Sequence, residues 1–80
     1  MTYDYTNLRR RIKEVGFNNE EAFAKAIGIT RPTLSLKLNG KAKFDQLEIT
    51  RIIELLNIQE SDIHLYFFCK GKLENYNYEI

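Results

Sequence analysis

Apolar residues recur at helical spacing along most of the chain, and glycine or asparagine interrupts each run. Such runs predict short amphipathic helices, because residues three and four apart share one face of a helix. The first run consists of Tyr5, Leu8, Ile12 and Val15. Gly16 follows it and is a suitable stop, since glycine tolerates the left-handed backbone conformation. We therefore predict a first helix over about 5–15.

The second predicted helix is short and begins close behind the first. Asn18 and Asn19 are both suitable N-caps, and Glu21 stands three residues after Asn18, at the spacing of a capping box. We expect the helix over roughly 20–27, with Gly28 ending it. Its buried face is expected to consist of Phe23, Ala26 and Ile27.

The third helix is expected over about 31–39. Thr30 is its predicted cap, and Pro32 falls in the first turn, where the N–H that proline lacks has no helical partner. Asn39 and Gly40 form a strong stop signal. The helix is thus about two turns long.

The fourth helix has the clearest periodicity in the chain and is expected over about 46–56. Asp45 is its predicted cap, Glu48 completes a capping box, and Asn57 closes the helix. Its apolar face, which we interpret as core, consists of Ile49, Ile52, Ile53 and Leu56.

A short fifth helix is expected over about 61–67, capped by Ser61. Its inward residues are predicted to be Ile63, Tyr66 and Phe67. In the remaining segment, residues 69–80, Tyr76 and Tyr78 alternate with asparagine. A small hairpin, a dimer arm and a loose tail are all compatible with so short an alternation.

The connection between the second and third helices has a distinctive spacing. Ala24 lies four residues before Gly28, and Leu34 lies six residues after it. A small residue at position 24 lets two helices cross closely, and glycine accepts the positive φ of a tight turn. Ile29 can then anchor the turn while Leu34 holds the third helix on the core. Two helices joined in this way form a helix-turn-helix, in which the second helix faces outward.

Three strings around this connection resemble a known family. They are EAFAKAIG at 21–28, ITRPTLSLKLNGK at 29–41 and IHLYFF at 63–68. They resemble the lambda-repressor/Cro class, the XRE-like helix-turn-helix proteins, and most of all small Cro-type repressors of phages of Gram-positive bacteria. The resemblance implies an all-α fold, a compact five-helix lambda-repressor-like domain over 1–68 that binds DNA, and a C-terminal tail over 69–80.

The resemblance also implies which residues contact DNA. The base-reading positions of the family fall on Arg31, Pro32 and Leu36. Arg31 is expected to contact guanine or, as an alternative, phosphate. Proline cannot hydrogen-bond a base, so Thr33 or Ser35 is expected to replace it. Leu36 should point away from the core, where it can touch a thymine methyl group or a protein partner.

The end of the third helix resembles a phosphate-binding region. Asn39 and the Gly40 backbone match positions where the family contacts phosphate, and Lys41 and Lys43 would add charge there. A solvated basic loop is the alternative interpretation. Lys37 stands at a position that is apolar in the family, and we expect its side chain to reach the DNA backbone or solvent.

Glu20 departs from the family pattern. The family has glutamine at this first position of the second helix, where it contacts the DNA backbone. Glutamate would repel phosphate unless a nearby cation, which we expect to be Arg31, neutralised it.

Charge is unevenly distributed, although the net charge is only +1. Residues 1–43 carry nine basic and four acidic side chains, whereas residues 44–80 carry three basic and seven acidic ones. The first half therefore suits a polyanion and the second half repels one.

Composition excludes several classes of protein. The chain has 80 residues, which predicts one domain, and a single cysteine and a single histidine, Cys69 and His64. An internal disulfide is impossible, and no metal cluster, carboxylate pair or phosphate-binding glycine loop is evident. We expect no enzymatic activity, no cofactor and no metal. The polar start and the lack of a long apolar run predict a cytoplasmic protein that binds no membrane.

Two functions are compatible with these features. The first is a sequence-specific transcription regulator that binds double-stranded operator DNA through the major groove, as a homodimer with half-sites about 34 Å apart. The fifth helix, the Tyr66-Phe67-Phe68 run or the tail would then supply the dimer contact; a weak monomer that dimerises on DNA is the alternative. The alternative is an antirepressor-type module that contacts another phage repressor instead of DNA. Glu20, an exposed Leu36 and the low net charge favour this alternative.

Overall fold

The computed structural model describes residues 3–69, and five α-helices account for most of them. Their bounds are Thr6–Val15 (α1), Glu20–Ile27 (α2), Arg31–Leu38 (α3), Gln46–Leu56 (α4) and Ile63–Phe67 (α5). A single 3-10 turn, Glu60–Asp62, leads into α5. The expected all-helical, five-helix fold is therefore confirmed. The predicted tail lies almost entirely outside the described residues, and so does its role as a dimer arm.

Helices α1 to α4 end in the same way. A residue in the left-handed conformation follows α1, α2 and α4 directly and follows α3 after Asn39; these residues are Gly16, Gly28, Asn57 and Gly40. In each case the N–H of the next residue donates to a carbonyl five positions earlier, which is the Schellman arrangement. In three of the four cases that next residue is an apolar one packed on the core: Phe17, Ile29 and Ile58. The stop signals seen in the sequence thus also anchor the connections.

Side-chain caps fix the starts of α2, α3 and α4. The Asn19 side chain accepts from the Ala22 N–H at 2.8 Å, so Asn19 and not Asn18 caps α2. Asn19 directly precedes the first helical residue with extended backbone, which brings its oxygen to the third N–H. Asp45 and Glu48 form the predicted capping box. Ser61 instead lies inside the 3-10 turn, and α5 begins two residues later than expected.

The core lies between α1, α2, α4 and α5, with α3 packed on α2. Its largest fully buried side chains are Leu8, Phe23, Ile27, Leu34, Ile52 and Leu56. Two expected core residues are exposed. Val15 is the last residue of α1 and is 41% exposed, and Ala26 faces solvent because Ala24 shares the buried face with Phe23 and Ile27. Positions 24 and 26 are about 200° apart around the helix.

The start of the described chain packs against its end. The Asp4 N–H donates to the Cys69 carbonyl at 2.7 Å, beyond the end of α5. Within residues 3–69, no helix is long and apolar enough to cross a membrane.

Candidate partner-binding surface on α3

Three residues, 28–30, connect α2 to α3, which is the helix-turn-helix length. Gly28 has a φ of +85°, and a Cβ built there would lie 2.8 Å from Nη1 of Arg51. The same nitrogen donates to the Ile27 carbonyl at 3.1 Å, which ties the end of α2 to α4. Ala24 is 1% exposed and Leu34 is fully buried. The turn therefore holds α3 firmly on the body of the protein.

The outward side of α3 is partly apolar. We call Arg31, Pro32, Ser35, Leu36 and Asn39 the α3 face, because Leu34, Lys37 and Leu38 are buried behind them. Pro32 and Leu36 are four residues apart on this helix and are both exposed, Leu36 to 49%. They form an apolar strip that runs along the middle of the face. The expectation that Leu36 points away from the core thus agrees with its exposure.

The hydroxyl and amide groups near the strip already bond to neighbours. The Thr30 hydroxyl donates to Thr33 Oγ1 at 2.9 Å. The Asn39 amide approaches Ser35 Oγ at 3.5 Å and its carbonyl oxygen accepts from Arg9 at 2.9 Å. Part of the hydrogen-bonding capacity expected to read bases is therefore used within the protein.

Arg9 joins three helices at the edge of the α3 face. Its guanidinium, on α1, donates to the Leu38 carbonyl at 3.2 Å and pairs with Glu20 of α2 at 3.3 Å, besides its bond to Asn39. The partner of Glu20 is thus Arg9 rather than the expected Arg31, which lies at the opposite end of α3. Arg9 was not among the residues expected at this surface, although its position off the apolar stripe of α1 indicates a side chain that is free to contact other helices.

Lys37 lies behind the α3 face and not on it. Its ammonium donates to Glu48 of α4 and lies 5.9 Å from the centre of the Phe44 ring. Lys37 is 9% exposed and Glu48 is 8% exposed. The expectation that Lys37 reaches DNA or solvent is therefore wrong for this structure, because α4 supplies an internal carboxylate at a position where an apolar residue would otherwise pack.

The expected phosphate donors at the end of α3 are also partly used. The Gly40 N–H donates to the Lys37 carbonyl at 3.1 Å, and the Lys41 N–H donates to the Leu36 carbonyl at 2.9 Å. These bonds close the helix, so the Gly40 backbone does not offer the expected free N–H. The side chains of Lys41 and Lys43 remain exposed, as does Arg31 at the other end of α3.

Opposite charges surround the α3 face. Among residues 3–69, Arg31, Lys41 and Lys43 form no ion pair. Glu20 and Glu21 occupy the first turn of α2, and Glu21 is exposed. The surface around α3 therefore has a mixed electrostatic character, with cations at both ends of α3 and carboxylates on α2.

Comparisons with known proteins place these features in a family. The family described as "Protein of unknown function (DUF739)" matches residues 1–70. That description does not mention the Cro-like class that the motifs resemble. The chain is also similar to the solution structure of the modulator of repression (MOR) of the temperate bacteriophage TP901-1 from Lactococcus lactis. The TM-score is 0.70 and the identity is 38%, over 85% of this chain and 90% of that one.

A search of curated proteins found no match. The family match nevertheless spans all of the described residues. The MOR structure is similar to this chain in both sequence and fold. The chain belongs to the family described as Protein of unknown function (DUF739).

Proposed function

We propose that this protein is a phage regulator that binds a repressor protein and thereby modulates repression. The observation that carries the proposal is the 38% identity, over 85% of the chain, to a protein that is itself a modulator of repression. The proposal assigns the contact with the repressor to the α3 face.

The apolar strip on α3 supports a protein partner. Protein interfaces are built around a few apolar or aromatic anchors, with polar groups at the rim. Leu36 is half exposed in the middle of the face, with Pro32 one turn before it and Arg31 at the start of the helix. Asn39 interacts with both Ser35 and Arg9, so the strip and Arg31 are the parts of the face left to make new contacts.

The carboxylates of α2 support the same choice. In helix-turn-helix proteins bound to DNA, the first helix of the motif crosses the phosphate backbone. Here the first turn of that helix carries Glu20 and Glu21, and of these two only Glu20 has a cationic partner within residues 3–69. An exposed Glu21 would face phosphate and repel it, whereas a basic protein surface would favour it.

Direct binding to operator DNA is the second candidate function. The observation in its favour is the set of exposed cations at the two ends of α3, Arg31, Lys41 and Lys43, which have no acidic partner among the described residues. In this candidate Arg31 reads a base, Leu36 contacts a thymine methyl group, the two lysines contact phosphate, and the protein acts as a homodimer.

One pair of titrations separates the candidates. The purified protein is titrated into the repressor encoded nearest to its own gene, by calorimetry, and into the DNA between the two genes at about 50 and 200 mM salt. We expect a stoichiometric complex with the repressor and no sequence-specific DNA complex. Specific DNA binding that weakens steeply with salt, together with no heat from the repressor, would instead establish the second candidate.

A further inference from the structure

A concave site lies beside the α3 face, at the loop that follows α3. Its volume is about 330 Å³. We call it the aromatic pocket; its principal lining residues are Tyr3, Ala42, Lys43, Phe44, Phe67 and Phe68. The pocket is larger than the roughly 150 Å³ cavity that suffices for a benzene molecule. It can therefore accept one large side chain from another molecule.

Edge-to-face ring contacts hold the walls of the pocket. The ring centres of Tyr3 and Phe68 are 6.0 Å apart at 89°, and those of Phe44 and Phe67 are 5.9 Å apart at 87°. Tyr5 packs against Phe44 in the same way, at 5.4 Å. Such pairs are favourable geometries for aromatic rings. The pocket is thus preformed in the fold.

The floor and the rim of the pocket differ in exposure. Phe67 is 2% exposed and belongs to the core, whereas Phe68 is 52% exposed and Tyr3 is 45% exposed. Two large exposed aromatic side chains at the mouth of an apolar cavity mark a binding surface. Preformed aromatic pockets of this kind receive the anchor residues of protein partners.

The charge at the mouth indicates what accompanies the anchor. Lys43 lines the pocket, and Lys41 precedes it in the same exposed loop. No acidic side chain lines the pocket within residues 3–69. Asp4 is adjacent in sequence to Tyr3, but its carboxylate accepts the N–H and hydroxyl of Thr6 at 2.9 and 2.6 Å. The site therefore complements a ligand that is apolar at its centre and negatively charged beside it.

We infer that the aromatic pocket receives one aromatic or branched aliphatic side chain from an acidic segment of the partner protein. The inference rests on the proposed function for the identification of that partner as a repressor. The loop that lines the pocket begins directly after α3. Gly40 lines the pocket and directly follows Asn39 of the α3 face, so the pocket adjoins that face at the end of α3.

The chemistry of the pocket is tested with small probes on the full chain. 3-Phenylpropionate carries a ring and a carboxylate, 3-phenylpropylamine carries the same ring with a cation, and propionate lacks the ring. Two-dimensional amide NMR follows each titration. We expect 3-phenylpropionate to give saturable shifts of the amide signals of Ala42, Lys43, Phe44 and Phe68. The affinity for 3-phenylpropylamine should be about tenfold lower than that for 3-phenylpropionate. Propionate should give no response. Equal affinity for acid and amine, or shifts elsewhere, would overturn the inference.

Two variants alter the pocket in different ways. Phe68→Ser removes an exposed wall and Lys43→Glu reverses the charge at the mouth; both residues are exposed, so the core is left intact. Lys13→Glu, at an exposed lysine of α1 that does not line the pocket, is the matched control. We expect the first two variants to weaken 3-phenylpropionate binding and the control to leave it unchanged. Equal affinity of all three variants for 3-phenylpropionate would contradict the inference.

Titration of the same variants into the repressor separates this inference from the proposed function. We expect Phe68→Ser and Lys43→Glu each to weaken the complex by about tenfold, the scale of an interface anchor. If both bind the repressor normally while Leu36→Asp does not, the pocket inference fails and the proposed function stands. If no variant and no wild-type protein binds the repressor, the proposed function fails, and the probe titrations alone decide whether the pocket takes an acidic aromatic ligand.

Discussion

The buried ion pair between Lys37 and Glu48 gives a quantitative prediction about how α3 is held. Each side chain is 11% exposed, and the same Glu48 oxygen also accepts the Asp45 N–H at 3.0 Å in the capping box of α4. The pair thus links the last turn of α3 to the first turn of α4. We consider the single variants Lys37→Met and Glu48→Gln and the double variant that carries both.

The two single variants should lose different amounts of unfolding free energy. Removing one partner of a buried pair costs about 3–5 kcal/mol, and slight exposure places this pair at the lower end. Glu48→Gln leaves the ammonium with no anionic partner, only a neutral amide oxygen and the Phe44 ring at 5.9 Å, so we expect a loss of about 3 kcal/mol. Lys37→Met leaves a carboxylate that still accepts the Asp45 N–H and lies at a helix N-terminus, a position that stabilises an anion by about 0.3–1 kcal/mol. We expect a loss of about 2 kcal/mol there.

The double variant should recover much of the loss, because it leaves no buried charge unpaired. We expect it to lie within about 2 kcal/mol of the wild type, which gives a coupling energy of about 3 kcal/mol. Urea unfolding followed by far-ultraviolet circular dichroism measures the cycle. The Arg10–Glu14 pair, with side chains 58% and 51% exposed, is the control and should couple by less than about 0.5 kcal/mol. Equal coupling in the two cycles, or a larger loss for Lys37→Met than for Glu48→Gln, would refute the reasoning.

Three further variants test other parts of the fold. Gly28→Ala should cost about 1–2 kcal/mol, because it imposes a positive φ on alanine and displaces Arg51; an unchanged unfolding free energy would contradict the described turn. Ala24→Leu should cost about 1–3 kcal/mol, because residue 24 is 1% exposed; unaltered urea unfolding would show that the site has spare volume. Burial, with a smaller contribution from nearby Tyr3, raises the pKa of Tyr5 above 10.0. The fold favours its protonated form, so this stability is complete below pH 10 and is lost as the pH rises toward the higher folded pKa. Tyr5→Phe should therefore flatten the alkaline loss of unfolding free energy, and an unchanged slope would exclude Tyr5 as its source.

Much of the helical framework followed from local sequence signals. Glycine or asparagine at positions 16, 28, 40 and 57 marked the helix ends. These residue types occur there because the backbone at each position is left-handed. The capping box of α4 was equally local, since both of its residues lie within one turn. The spacing of Ala24 and Leu34 around Gly28 predicted the tight α2–α3 contact. All of these signals operate over a few residues, where backbone chemistry decides the outcome.

The side-chain partners that shape the candidate surface are not local. Arg9 and Asn39 are 30 residues apart, and Lys37 and Glu48 are 11 apart. Periodicity gives the face of a helix that a residue occupies, but it does not give the side chain that meets it from another helix. For this reason Lys37 was expected at the surface and Arg31 was expected beside Glu20. Once Lys37 and Arg9 are paired, the basic excess of the first half offers less to a polyanion than its count of charges suggests.

The interpretation of function changed for the same reason. Helix-turn-helix spacing indicated a Cro-like DNA reader, because the motif describes how α3 is presented and not what it contacts. The exposed Leu36 and the carboxylate at position 20 were the residues that departed from this pattern. The proposed protein partner accounts for the exposed Leu36, whereas Arg9 neutralises the carboxylate of Glu20.

The proposed function requires that α3 contacts a protein partner through Leu36. The decisive measurement is the calorimetric affinity for the repressor of Leu36→Asp beside Val15→Asp. The two side chains are comparably exposed, at 49% and 41%, but Val15 lies at the end of α1 and lines neither the α3 face nor the aromatic pocket. We predict that Leu36→Asp weakens the complex by about 2 kcal/mol, roughly thirtyfold in Kd, and that Val15→Asp leaves it unchanged. Equal affinities for the two variants, with both folded, would contradict the account.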